Sequence, residues 1–136
     1  MILKKHLSPF LLCLALSLSS GVALANSGGK EGGAGGGSTA KLEAFTVNLS
    51  STERYLQLSM ALQIANAEVS DRIKMFMPKL RHVLIVLLSS KDGEQLQSLE
   101  GKHKLMEEIK EGVNKTLELK EHDGVTDVFF ENFVIQ

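Results

Sequence analysis

The sequence predicts a small α+β domain in which an antiparallel or mixed sheet packs with two to three helices. Three observations predict it. Residues 54–64, RYLQLSMALQI, alternate strictly between apolar and polar; residues 65–119 switch to helical spacing; and residues 125–136, VTDVFFENFVIQ, return to a β-branched and aromatic run. Strands that precede and follow a block of helices, rather than alternating with them, belong to α+β architectures.

Ahead of that domain stands an export-type segment. Lys4 and Lys5 precede an apolar run over residues 9–18, and Ala23 and Ala25 supply the small residues of an A-x-A site, which predicts cleavage between Ala25 and Asn26. Retention as a membrane anchor is the alternative: residues 7–25 as a helix would span roughly 28 Å at about 1.5 Å per residue, close to a bilayer core. Ser17, Ser19, Ser20 and Gly21 favour cleavage. Either fate places the remainder outside the cytoplasm. Cys13, the single cysteine, falls in this segment, so the rest of the chain can form no disulfide and must be held by packing. Phe10, Leu11 and Leu12 stand where a lipoprotein signal needs small residues, which argues against lipidation.

Residues 26–40, NSGGKEGGAGGGSTA, hold seven of the twelve glycines and no large apolar side chain. They read as a flexible linker with an r.m.s. reach of roughly 20 Å by Gly-rich chain scaling. Residues 41–136 then suffice for one domain with one core. Without residues 1–25 the chain carries 13 bases against 16 acids, a balance that argues against a nucleic-acid partner, whose phosphates require clustered Lys and Arg.

Within the domain, Phe45, Val47 and Leu49 alternate, and residues 50–53 form a polar turn, so a hairpin entry is expected. The strand after it buries Leu56, Leu58, Met60, Leu62 and Ile64 and leaves the opposite face wet. Val69, Ile73 and Phe76 open a helix that Pro78 ends or kinks, because proline lacks an amide proton and disfavours helix in the residue before it. Leu80, Val83, Leu84, Leu87 and Leu88 follow at helical spacing, predicting a central, buried helix. Asp92 and Gly93 break it. The next helix runs from about residue 94 to 119, with Gly101 as a candidate break. Its stripe is Leu105, Ile109, Val113 and Leu117, its wet faces carry Lys104, Glu107, Glu108, Lys110, Glu111, Lys115 and Glu118, and Glu111 and Lys115 are spaced to pair. It should lie across the outside of the sheet. A charged turn at residues 120–124 leads to the last strand, which, apolar on both faces, is expected at the centre of the sheet.

No catalytic, cofactor-binding or metal-binding constellation emerges. His6, His82, His103 and His122 lack the spacing of a metal site, and the glutamates lie on wet helix faces rather than converging. The linker glycines do not open a helix after a strand, so they form no phosphate cradle. Asn48 and Asn114 begin formal N-x-S/T matches and read as a turn and a helix surface.

Taken in order, FTVNL at 45–49, RYLQLSMALQI at 54–64, residues 77–117 from MPKLRHVLIVLLSS to EEIKEGVNKTL, and VTDVFFENFVIQ at 125–136 resemble the periplasmic domain of the FliL family of flagellar basal body-associated proteins. Pro78, Leu88-Ser89-Ser90, Gly101, Asn114 and the phenylalanine-rich strand ending at Gln136 carry the likeness. The resemblance implies a stomatin-like (SPFH) domain fold. It also implies association with the inner membrane and the flagellum basal body from the periplasm, self-association into rings, and MotA/MotB-type stator proteins as partners. It further implies a role in torque, swimming or swarming, with no catalysis, cofactor or small-molecule substrate. The alternative is an interaction module of the same fold serving another envelope complex. His82, after Arg81, departs from the acid that relatives commonly carry there.

Overall fold

A computed structural model describes residues 37–51 and 53–136. The predicted export segment and its cleavage residues Ala25 and Asn26, with His6 and Cys13, lie outside the described residues. The order of elements is strand β1 (Thr39–Asn48), strand β2 (Tyr55–Ile64), helices α1 (Ala67–Met75), α2 (Met77–Ser89), α3 (Gly93–Gln97) and α4 (Leu99–Leu117), a 3-10 turn (Glu121–Asp123) and strand β3 (Val125–Ile135). The sheet is three-stranded and antiparallel, ordered β1-β2-β3. The class is α+β, with four helices among the described residues rather than two to three.

The alternation of β2 does what its period predicts. Leu56, Leu58, Met60, Leu62 and Ile64 are 0–1% exposed and face the helices, whereas Tyr55 and Gln57 are exposed on the other side. Strand β2 is the central strand. The last strand, expected there, is instead an edge among the described residues, where it pairs with β2 alone. Its density of apolar residues arises because it changes phase: Val128 and Phe130 face the core opposite Leu62 and Met60, Glu131 is an extra residue, and Phe133 and Ile135 then face the core opposite Leu58 and Leu56. A strand with a bulge looks two-faced when read as a straight one. β1 likewise carries an irregularity between Leu42 and Phe45, and it starts at Thr39, earlier than its apolar alternation reveals.

The helices cover one face of the sheet. Asn66 caps α1, its Oδ1 accepting the Val69 amide at 3.2 Å, and Val69 and Ile73 are buried. Pro78 sits in the first turn of α2, where its missing amide costs nothing, so the two halves are separate helices. α2 lies against β1 and α4, and buries Leu80, Leu84 and Leu88. It is not the fully enclosed helix that its composition suggests, since Ile85 and Val86 are 40% and 57% exposed. Arg81 closes the seam with β1: its guanidinium stands 4.7 Å from the centre of the Phe45 ring and 3.5 Å from Glu43 Oε2.

The turn after α2 is built as its residues dictate. Asp92 Oδ1 accepts the Glu94 amide at 2.7 Å and starts α3, while the Ser50 amide donates to the Lys91 carbonyl at 3.0 Å, docking the β1–β2 turn beside it. The break in the long helix falls at Ser98 rather than Gly101. Ser98 Oγ accepts the Gly101 amide at 2.9 Å as the cap of α4 and donates to the Gln95 carbonyl, also at 2.9 Å. Gly101 is what lets the two helices meet there, for a Cβ on it would stand 1.9 Å from the Gln95 oxygen. α4 packs on β3 and α2 through Leu105, Ile109, Val113 and Leu117, each 0–1% exposed.

Candidate interaction surfaces

The junction between α4 and β3 is the most tightly specified place in the domain. Asn114, expected on a helix surface, is 6% exposed. Its Nδ2 donates to the Val125 carbonyl and its Oδ1 accepts the Val125 amide, both at 2.8 Å. One side chain thereby satisfies both main-chain groups of a residue that is itself 0% exposed. Gly124 makes room for it: a Cβ there would approach Asn114 Oδ1 to 2.2 Å. Helix α4 ends just beyond, with Glu118 in the left-handed conformation at φ 57° and its amide bonded to the Asn114 and Lys115 carbonyls.

Lys110 holds the 3-10 turn to the same helix. Its Nζ lies 2.8 Å from Glu107 Oε2 and 2.9 Å from Glu121 Oε1, and its side chain is only 11% exposed. The Glu107 and Glu121 carboxylates hold its pKa above the ordinary lysine range, against the opposing effect of burial. The pairing expected between Glu111 and Lys115 is absent among the described residues, and Lys110 takes the acids instead. A depression beside this cluster is lined by Lys110, Asn114, Lys115, Leu119 and Glu121. Its deepest cation already faces two carboxylates, so it offers an anion little.

The groups that could carry chemistry stay apart. His82, His103 and His122 are exposed on α2, α4 and the 3-10 turn, and His122 Nε2 meets only Asp123 Oδ2, at 3.1 Å. Among the described residues no three His, Cys, Asp or Glu side chains converge in a way that could hold a metal. No helix among them is long and apolar enough to cross a membrane.

What the domain does present is surface suited to contact. Among the described residues no helix covers the second face of the sheet, where Phe129 is 44% exposed and Tyr55 is held by a hydrogen bond from its hydroxyl to Gln136 Oε1. Lys41 Nζ and Glu131 Oε1 join across that face at 2.8 Å, over Ala61, which is small and 7% exposed. On the helical side, Ile85 and Val86 of α2, with Met75 at 74%, add exposed apolar groups. Sequence reading missed these because the spacing of α2 shows which residues are apolar but not how wide a stripe the sheet can cover. Asn114 carries part of the family likeness, but its spacing, one residue off the apolar stripe, does not reveal that it is buried. Gly124 is the available signal, as a glycine in a charged turn.

The comparisons with known proteins point the same way along the whole described domain. The family profile "Flagellar basal body-associated protein FliL" matches residues 39–136. "Flagellar protein FliL" of Aquifex aeolicus is 33% identical over 94 residues, 68% of this chain and 56% of that protein. The protein of the same name from Escherichia coli K12 is 31% identical over 96 residues, covering 70% of this chain and 62% of that one. The chain therefore spans somewhat under two thirds of the length of these relatives. The matched region begins with β1 and runs through Gln136, so it takes in every strand and helix from β1 to β3, and the chain belongs to the FliL family of flagellar basal body-associated proteins.

Proposed function

We propose that the chain is a non-catalytic accessory of the flagellar motor that acts from the periplasm, beside the inner membrane, by contact with the MotA/MotB-type stator units and with further copies of itself. The observation that carries this is the family match over the entire folded domain. The exposed apolar positions on α2 and on the open sheet face support a role in contact. One copy of so small a domain gains little affinity. Copies held near a membrane raise each other's effective concentration and can form a ring from weak contacts. Export through residues 1–25, whether cleaved after Ala25 or kept as an anchor, and a flexible reach through the linker residues that precede β1 at Thr39 complete the proposal.

The test is deletion of the gene, with swimming, swarming and stator occupancy measured in the same cells. Loss of occupancy and of torque under load is expected. Unchanged motility and occupancy, or co-purification with a different envelope assembly and none with stator proteins, would overturn it. Self-association should be weak for the free chain and stronger when it is tethered to a bilayer, and equal association in both settings contradicts the ring.

A further inference from the structure

The three-stranded sheet has two edges, and they are not alike. The outer edge of β1 is kinked by its irregularity between Leu42 and Phe45. The first half of β3 is closed as well: Val128 spends its amide on Asp127 Oδ1 at 2.8 Å, and Glu131 bulges out of register. Bulges and self-satisfied amides are the usual means of protecting an edge. The second half of β3 has neither.

There the direction of the main chain follows from one pair. Tyr55 and Gln136 exchange both main-chain hydrogen bonds, at 2.8 and 3.0 Å, and the register runs unbroken from that pair to Ser59 and Asn132. Alternation then turns the main-chain groups of Val134 and Asn132 toward β2, and those of Phe133 and Ile135 away from it. The same two residues point their side chains to the core side, where the helices stop short of covering them. Leu96, Gln97, Lys102, Phe133 and Ile135 line a groove of about 210 Å³. Lys102 sits on its rim with Nζ 5.4 Å from the centre of the Phe133 ring, and no carboxylate pairs with it among the described residues.

We infer that the Phe133–Ile135 edge with its groove is a strand-addition site for an extended segment of a partner protein carrying apolar side chains at alternate positions and an acidic residue near Lys102. Unpaired main-chain groups select an extended backbone, since a helix would leave them unsatisfied. The groove takes every second side chain, and the unpaired ammonium selects the acid. A second copy of this chain suits the edge poorly. Two β3 edges brought together would place two Lys102 cations in one interface, and the β1 edge is kinked. The proposal goes beyond the motor role and does not depend on it.

The test begins with a library of random octapeptides displayed on phage and selected against the full chain, in parallel with its Lys102→Glu variant. Lys102 is a partly exposed surface residue, so that variant should fold. Enrichment of alternating apolar peptides containing Asp or Glu is expected for the unaltered chain, and loss of the acid for the variant. The enriched peptide, synthesised, should protect the Phe133 and Ile135 amides from hydrogen exchange. N-methylation of its pairing amides should weaken binding at least tenfold, as should Lys102→Glu. The proposal is overturned by enrichment without the alternating pattern, by tight binding of the N-methylated peptide, or by protection elsewhere in the domain. It is equally overturned if those two amides become protected as the chain alone is concentrated, because the occupant is then a second copy.

Discussion

Replacing Asn114 by alanine removes both partners of Val125 at once, and its cost can be worked from the geometry. The Val125 amide and carbonyl each have a 2.8 Å hydrogen bond to this side chain, and Val125 is closed to water. A stranded buried group costs about 1–3 kcal/mol, so the pair should cost about 2–6 kcal/mol. That is a large part of the total stability of an ordinary domain, about 5–15 kcal/mol. At about 4–8 °C per kcal/mol for a domain of this size, Tm should fall by about 10 °C or more. Urea unfolding of the purified chain, followed by circular dichroism, measures it. Asn114→Asp separates the two bonds, because an ionised carboxylate can accept the Val125 amide but cannot donate to the Val125 carbonyl, whereas the protonated acid can do both. Its folded-state pKa should therefore be raised. The variant should approach normal stability below the unfolded carboxylate value of about 3.9 and lose it as pH rises through the folded value. Gly124→Ala should damage the same clamp by crowding Oδ1, and should cost less in the Asn114→Ala background than alone. A loss below about 0.5 kcal/mol for Asn114→Ala, or strict additivity with Gly124→Ala, would show that the side chain is no clamp.

Gly101→Ala should cost about 1–3 kcal/mol or more by forcing α3 and α4 apart, since its Cβ would meet the Gln95 carbonyl oxygen at 1.9 Å; thermal unfolding reads it. Lys110→Met tests the bracket on the 3-10 turn. Because the lysine pKa is raised in the folded state, its contribution is present below the unfolded value of about 10.4 and disappears as pH rises through the higher folded one. The two proteins should thus converge in stability at strongly alkaline pH. At neutral pH the difference should be no more than about 1 kcal/mol, because Glu107 and Glu121 are 63% exposed. Val86→Asp, on the exposed side of α2, should leave stability within about 0.5 kcal/mol while lowering motility under load if that face meets the motor.

Period carried most of the fold into view. The alternation over residues 54–64 and the stripe Leu105, Ile109, Val113 and Leu117 correspond to a strand and a helix face that are buried as their spacing implies. Local chemistry was legible too, in the Pro78 boundary and the Asp92 cap. Strand order was not, because β3 owes its two-faced appearance to the bulge at Glu131, and a bulge leaves no local mark in an aromatic run. The helix break moved from Gly101 to Ser98 for a related reason. The glycine is required by the carbonyl of Gln95 packed against it, a tertiary contact, while the serine supplies the cap. Asn114 and the half-covered groove at Phe133 are likewise products of how α4 sits on β3, which no stretch of residues records by itself.

Whether this family member works at the stator is decided by following a fluorescent fusion of the full chain in motile cells. Foci at flagellar bases that fade when the stator proteins are removed are expected. Foci that persist unchanged without stators, or that form elsewhere in the envelope, would contradict a stator-bound role.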